Sequence, residues 1–293
     1  MGNEKTKVAL LSVFAAIFLT TFKLIVGIVT GSLGLLSEAL HSGLDMVAAV
    51  ITYFSVRISD KPADKQHNFG HGKIENFSAF IETILLLVTC VWIIYEATHR
   101  LITGKTDIEV NVWSYIVVGA SIIIDFTRSR ALYKVAKKYN SQALEADALH
   151  FSTDIWSSAV VLVGLICANF GFFFADSVAA LVVAMIVLVV CYQLGKRATN
   201  VLLDRAPQDS LIKVETVLNS IPEITHYHDL KIRESGADTF VNVKIHVTQD
   251  LSHQQAHEIC DRVELEIQNV IKRVDVFVHA EPEENKKLLN KEV

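Results

Sequence analysis

Six long apolar segments constrain this chain more than any other feature of its sequence. They cover approximately residues 8–30, 35–57, 78–101, 112–132, 147–170 and 174–195. Each is about 20 residues long, which lets an α-helix cross the roughly 30 Å hydrocarbon core of a bilayer. The chain is 51% hydrophobic and 20% charged, as expected for an integral membrane protein. The sequence therefore predicts an α-helical membrane protein with six transmembrane helices and the lipid bilayer as a partner.

The basic residues between these segments predict an orientation. Lys and Arg are concentrated before the first segment, between the second and third, between the fourth and fifth, and after the sixth. The alternate loops are short or poorer in these residues. Because loops rich in Lys and Arg stay on the cytoplasmic side, we expect a multi-pass protein of the cell inner (plasma) membrane with both termini in the cytoplasm.

A different pattern begins after residue 206. "DSLIKVETVLNSI" has helical apolar spacing behind an Asp/Ser cap, and "SHQQAHEICDRVELEIQNVIK" is an amphipathic helix with a Ser cap. "THYHDLKIRES", "DTFVNVKIHVTQ" and "VDVFVHAE" alternate as strands do. We therefore predict a transmembrane transport domain over 1–206. A small cytoplasmic α+β domain of order αββαβ, ferredoxin-like or metallochaperone-like, follows over 207–293.

This tail is acidic and rich in histidine. Residues 207–293 hold ten Lys and Arg against sixteen Asp and Glu, together with six of the eleven histidines of the chain. Such a composition suits cations better than nucleic acid, so we exclude DNA and RNA as partners.

Two apolar segments carry the same pair of ionisable residues. "SEALHSGLD" contains His41 and Asp45, and "ADALHFSTD" contains His150 and Asp154. The members of each pair are four residues apart and therefore share one helix face. A charge at the bilayer centre costs at least ~2.5–3.5 kcal/mol, so packing alone explains a repeated pair poorly. A local hydrogen bond that stiffens each helix is the alternative interpretation.

If the two helices face each other, the four side chains form a site with two nitrogen and two oxygen ligands. That donor set fits tetrahedral Zn²⁺. It also accepts Co²⁺ or Fe²⁺, whereas an all-oxygen site would suit Mn²⁺ better.

Two further groups have the residue types of metal sites. In the loop "PADKQHNFGHGKIE" they are Asp64, His67, His71 and Glu75, for which a solvated loop is the alternative. In the tail, His257 lies on the predicted helix, and the other candidates lie on strands or at the end of the last one: His228, His246, His279 and Glu281. We expect the tail set to converge where the helix meets the sheet. Scattered surface histidines are the alternative.

The remaining ionisable residues of the apolar segments have no repeated partner. We expect Lys23 to snorkel or pair with an acid, and Asp125 to join a water-filled path, while Glu82 receives no role. H-E-x-x-H, G-x-S-x-G and phosphate-loop motifs are missing from the sequence. The chain is therefore predicted not to be an enzyme and to need no organic cofactor, and uphill transport would draw on an ion gradient.

Taken together, these motifs resemble the cation diffusion facilitator family, in particular its bacterial zinc/proton antiporters. The resemblance covers almost the full length: six spans, paired ligands in the second and fifth, the "FGHGK-x-E" loop, "LLDRAP" and the tail ending in "VHAEP". It implies a homodimer that exports Zn²⁺ against protons by alternating access. His41 would then favour zinc, and further Zn²⁺ would bind the loop and the tail for regulation.

One position departs from the family pattern. The usual strand histidine, thirteen residues before His257, is Lys244 in this chain, and His246 is expected to substitute for it. An exporter of Mn²⁺ or Fe²⁺ in the same family is one alternative function, and a membrane scaffold that senses metal without moving it is another.

Overall fold

The computed structural model describes residues 2–30, 33–103, 112–169 and 174–283. The described residues divide into two compact units, and the division falls between Thr199 and Asn200, near the end of the sixth helix. The first unit is built from six long helices: α1 (Gly2–Thr30), α2 (Leu33–Ser59), α3 (Lys73–Thr103), α4 (Val112–Tyr139), α5 (Gln142–Asn169) and α6 (Phe174–Leu202). The prediction of six helices is confirmed.

Among the described residues, four stretches of helix are long and apolar enough to cross a bilayer by length and composition: Glu4–Thr30, Ala39–Ser59, Lys73–Thr103 and Ala180–Leu202. α4 and α5 are not among these stretches, and both carry ionisable residues within their length, among them Asp125, Arg128, Asp147 and Asp154. The helices also extend beyond the predicted apolar segments, because helical hydrogen bonding continues into polar residues. α4 ends at Tyr139 and α5 begins at Gln142. Residue 170, the predicted end of the fifth segment, lies outside the described residues.

The helices of the first unit are arranged as tight neighbouring pairs. The most extensive contacts join α1 to α2 and α4 to α5, whereas α2 and α5 contact each other more sparsely. α4 and α5 are joined by a sharp turn at Asn140, whose φ is 51°. The two pairs meet where α1 contacts α4 and, more sparsely, where α2 contacts α5. The meeting of α2 with α5 is called the seam.

The second unit has the predicted order αββαβ. It consists of α7 (Gln208–Ser220), β1 (His226–Ser235), β2 (Asp238–Val247), α8 (His253–Val270) and β3 (Val274–Pro282). The sheet order is β1-β2-β3, with β1 antiparallel and β3 parallel to β2. Ser252 caps α8 in a reciprocal hydrogen-bonded pair with Gln255. The predicted Asp/Ser cap of α7 is wrong, since the helix follows Pro207 with no side-chain cap and Asp209 lies in its first turn.

The two faces of this sheet have different roles. Val241, Val243 and Ile245 of β2 face a core shared with α7 and α8. Because side chains alternate along a strand, Lys244 and His246 face the opposite side. That side, away from the helices, carries the strand histidines.

Candidate functional site

The two His–Asp pairs face each other across the seam between α2 and α5. His150 Nε2 lies 3.0 Å from Asp45 Oδ1, and His41 Nε2 lies 3.8 Å from Asp154 Oδ1. His150 Nε2 also lies 3.7 Å from Asp154 Oδ2. Each imidazole therefore contacts the carboxylate of the other helix, and the structure brings the four predicted side chains together.

The chemistry of this group fits a divalent cation. His41, Asp45 and Asp154 each offer a ligand atom within 4.8 Å of the others. Within the described part of the chain, Asp154 Oδ2 is buried and makes no hydrogen bond. A buried carboxylate oxygen without a hydrogen bond is costly, and a cation at this point would satisfy it. Such a cation would replace the proton in the contact between His150 and Asp45.

A cavity of about 30 Å³ opens beside these side chains, which is room for water or a small ion. It is bounded by α1, α2, α4 and α5. Its polar lining consists of ionisable and hydroxyl side chains: Lys23, His41, Ser42, Asp45, Ser121, Asp125, Arg128, Asp154, Ser157 and Ser158. Asp125, which the sequence analysis expects to join a water-filled path, lines this cavity.

Arg128 supports the site from α4. The Cζ atom of its guanidinium lies 3.4 Å from the centroid of the Phe151 ring, and Phe151 meets the His150 ring edge-on at 5.4 Å. Arg128 Nη1 also lies 3.4 Å from Asp125 Oδ1. The partner of Asp125 is therefore Arg128, which the sequence analysis had not identified although it lies one turn further along the same helix.

Asp147 forms a second connection to Arg128. Ser12 Oγ donates to Asp147 Oδ2 at 3.2 Å and accepts from Arg128 Nε at 2.9 Å. Asp147 is fully buried, at 0% exposure. Its position three residues before His150, on the same helix face, was the signal in the sequence that could have indicated it.

The other two ionisable residues are also buried. Lys23 Nζ donates to Ser42 Oγ at 2.8 Å, with 5% of the residue exposed, so Lys23 does not snorkel to the surface. Glu82 accepts hydrogen bonds from Thr52 and Ser78. Glu82 is therefore tied to α2 and to its own helix.

The loop between α2 and α3 brings three of its four predicted ligands together. Asp64, His67 and His71 offer ligand atoms within 4.8 Å of one another. The chain reverses at Gly70, whose φ of 74° is strained for other residues, and this returns His71 to the group. Backbone hydrogen bonds from His67 and Gln66 hold the pKa of the Asp64 carboxyl below its ordinary value, so this ligand stays ionised.

The structure does not bring Glu75 into the loop group. Glu75 is 3% exposed, and its Oε1 accepts from Lys5 Nζ at 3.0 Å and from Ser59 Oγ at 2.8 Å. Its Oε2 accepts from Ser141. α3 begins at Lys73, so Glu75 lies in its first turn and faces the bundle. The prediction of Glu75 as a loop ligand is corrected for this reason.

The tail brings together His228, His246 and Glu281, whose ligand atoms lie within 4.8 Å of one another. His228 Nε2 lies 3.2 Å from Glu281 Oε2, and His246 Nε2 lies 3.8 Å from the same oxygen. His246 therefore occupies the group as a strand histidine. His226 pairs with His246 in the sheet, with their rings 5.8 Å apart, and was not among the predicted ligands.

His257 and His279 stand outside this group. The side chain of His257 is 76% exposed on α8 and lies 3.7 Å from Asp261. Because α8 packs on one face of the sheet and the histidine group lies on the other, the predicted convergence of helix and strand ligands does not occur. His279 Nε2 approaches Glu281 Oε1 at 3.8 Å, but its side chain is 57% exposed.

Lys244 introduces a positive charge into the tail group. Its Nζ lies 3.1 Å from Asp229 Oδ2 and 3.5 Å from Glu281 Oε1. The hydrogen bond to Asp229 raises the pKa of Lys244. The contact between His228 and Glu281, with the charge of Lys244, lowers the pKa of Glu281. A metal ion that binds Glu281 must therefore compete with a resident ammonium.

Comparison with protein families gives two matches that run along the chain. The model of the cation efflux transmembrane domain matches residues 9–203. The model of the cytoplasmic domain of cation efflux proteins matches residues 206–283.

Individual relatives match over almost the whole length. The chain is 31% identical to an uncharacterised transporter of Methanocaldococcus jannaschii, over 95% of this chain and 99% of the relative. It is 26% identical to the cation-efflux pump FieF of Shewanella oneidensis, over 92% of each chain. It is 31% identical to the magnetosome protein MamB of Magnetospira sp., over 90% of each chain.

Proposed function

The chain belongs to the cation diffusion facilitator family of divalent-metal efflux transporters, and from this premise we propose that it exports Zn²⁺ in exchange for protons. The observation that carries the proposal is the crossed contact of two imidazoles and two carboxylates between α2 and α5. Two nitrogen and two oxygen ligands suit Zn²⁺, which takes four ligands in a tetrahedron.

Protons and metal compete for the same atoms in this mechanism. A metal needs neutral imidazole and ionised carboxylate, so its binding releases protons. Without metal, the contact of His150 Nε2 with Asp45 Oδ1 at 3.0 Å holds a proton where the cation binds. An imidazole changes charge near physiological pH, which lets external protons displace the cargo after the site opens outward.

The seam between the helix pairs is where alternating access would act. Rocking one pair against the other changes the distances between ligands of α2 and ligands of α5 without breaking either helix. The site would load from the cytoplasm and release to the other side.

The loop and tail groups would bind Zn²⁺ on the cytoplasmic side. Their cytoplasmic position follows from the positive-inside rule, which places both termini in the cytoplasm. The protein itself would lie in the inner membrane of the cell. The tail, which matches the cytoplasmic domain of cation efflux proteins, would form the homodimer. Metal at the tail would tighten that dimer and tune export.

Flux in proteoliposomes tests the proposal. Purified protein is reconstituted with a trapped zinc indicator, and uptake is followed with a pH gradient imposed or collapsed. We expect uptake that depends on the gradient in the wild type, and loss of uptake in His41→Ala and Asp154→Ala. His99→Ala, at an exposed position of α3, is the matched control.

Two results would each contradict a different part of the proposal. Unchanged flux in the site variants would refute the four-ligand site, and flux that ignores the gradient would refute proton antiport. A competition series with Mn²⁺ and Fe²⁺ decides between zinc and the alternative cargoes.

A further inference from the structure

We propose that Lys23 is a tethered cation of the transport cavity, which opposes the bound metal ion in this conformation and so promotes its release. The inference rests on the proposed function, because it takes the four-ligand site as the place where the cargo binds. It assigns a role to a residue that is not itself a ligand.

Lys23 belongs to the cavity by its position. It lines the same cavity as His41, Asp45 and Asp154, and only 5% of it is exposed. Its Nζ donates to the hydroxyl of Ser42 at 2.8 Å, and Ser42 follows His41 in the chain. The hydrogen bond therefore holds the ammonium of Lys23 close to His41, one of the four proposed ligands.

A buried ammonium is costly to keep inside a membrane protein. Opposite charges nearby must compensate its desolvation, and intramembrane ionisable groups mark pathways of ions or protons. Lysine carries a compact charge on a flexible stem of four carbons. The ammonium of Lys23 can therefore approach the carboxylates of the cavity when no metal ion is bound to them. It can withdraw when a metal ion binds.

The charges of the lining decide which occupant is favoured. Arg128 is shared between two carboxylates, because its Nη1 lies 3.4 Å from Asp125 Oδ1 and Ser12 links its Nε to Asp147. The ammonium of Lys23 lines the same cavity as the ligand carboxylates of Asp45 and Asp154. A proton brings one positive charge into this cavity and a divalent cation brings two, so Lys23 repels the metal ion more strongly than the proton.

Removal of the Lys23 charge would remove this repulsion and leave the carboxylates of Asp45 and Asp154 to attract the metal ion. Because Coulomb interactions are strong in a poorly hydrated cavity, we expect a change in metal affinity of about tenfold or more. Tighter binding would slow release from this conformation and thus lower turnover.

The experiment uses the full chain with the loop and tail groups disabled by Asp64→Ala and Glu281→Ala. In this background, Zn²⁺ affinity is measured in detergent by competition with a chromophoric chelator. Lys23→Met is compared with Lys23→Arg, which keeps the charge, and with Lys7→Met, which removes an exposed lysine of the same helix. Lys23→Gln is the second neutral variant if Lys23→Met does not fold.

We expect the neutral variant to bind Zn²⁺ about tenfold or more tightly, and to show both a lower KM and a lower kcat in proteoliposomes. Lys23→Arg and Lys7→Met should resemble the background. Unchanged or weaker binding in a folded neutral variant would overturn the role of Lys23, because a merely structural lysine would lower kcat without lowering KM. If Asp45→Asn leaves the binding of the background protein unchanged, the four-ligand site itself fails, and the proposed function with it.

Discussion

His150 Nε2 and Asp45 Oδ1 lie 3.0 Å apart although their residues are 105 positions apart in the chain. The contact joins α5 to α2, each of which has its most extensive contacts with another helix, α4 and α1 respectively. The candidate site is therefore shared between two helix pairs, and neither pair can form it alone.

The first prediction concerns the charge of the shared carboxylate. Asp45→Asn keeps the size of the side chain but removes the negative charge that we propose binds the metal. We expect zinc flux in proteoliposomes to fall by at least about a hundredfold, since loss of supporting groups alone reduces metal affinity 10–100-fold. Glu96→Gln, which removes a surface carboxylate paired with Arg100 on α3, should keep normal flux. Substantial flux in Asp45→Asn would argue that Asp45 is not a ligand.

The second prediction concerns selectivity at His41. His41→Asp converts the site from two nitrogen and two oxygen donors to one nitrogen and three oxygen donors, which suits harder ions such as Mn²⁺ better. We expect the flux ratio of Mn²⁺ to Zn²⁺ to rise at least several-fold. The same substitution at the exposed His99 serves as control. An unchanged ratio in the competition series would remove His41 as the selectivity determinant.

The third prediction is that Glu75 stabilises the helix bundle and does not bind metal with the loop group. Lys5 lies 2.5 Å from Asp60 and 3.0 Å from Glu75. Lys5→Met leaves a buried carboxylate without its cation, and breaking a buried pair in this way costs about 3–5 kcal/mol. We expect a clear fall in apparent Tm in detergent, whereas Lys7→Met, at an exposed position of α1, should leave it unchanged.

Metal binding at the loop gives the complementary measurement. We expect Glu75→Gln to leave the zinc affinity of the loop unchanged, and Asp64→Ala to weaken it. Equal weakening by both substitutions would mean that Glu75 turns out of the bundle to bind metal, contrary to its contacts in this structure.

The fourth prediction concerns the ammonium in the tail. Lys244→Met removes a charge 3.5 Å from Glu281 Oε1, so zinc should bind the tail more tightly. We expect a gain of a few-fold, because the pair is exposed and screened by solvent. Lys244→Arg should retain wild-type affinity. Weaker binding in Lys244→Met would show that Lys244 positions Glu281 and does not compete with metal.

The pH dependence of this effect follows from the signs of the shifts. Lys244 lowers the pKa of Asp229, and His228 with Lys244 lowers that of Glu281. A carboxylate with a lowered pKa keeps its charge above its ordinary value of about 4 and loses it only as the pH falls through the lowered one. The affinity ratio of Lys244→Met to wild type should therefore be equal at pH 8 and pH 6. A ratio that collapses between these values would contradict the ion pairs.

The sequence predicted well what repeats or alternates along the chain. The apolar runs gave the six helices, and the repeated H-x-x-x-D indicated that His41, Asp45, His150 and Asp154 share a site. The structure brings these four side chains together, because each pair is fixed by a single helix turn and an intramembrane charge needs a partner.

The sequence failed where position depends on a distant partner. Glu75 has ligand spacing to His71, but Lys5, 70 residues away, holds its carboxylate inside the bundle. His257 has a side chain that can bind metal, but the sheet separates it from His228 and His246. Strand parity could have shown the second error: the even-numbered positions of β2 face away from the core that α8 shares.

Metal binding across the seam between α2 and α5 would affect how long the protein survives in the cell. An ion bound by ligands of both helices acts as a crosslink between the two pairs, and it binds the folded form only. Such a ligand raises the free energy of unfolding by about 2.7 kcal/mol at a hundredfold excess over its Kd. Cellular proteolysis, which acts on opened forms, would then remove this exporter faster when metal is scarce and spare it when metal accumulates.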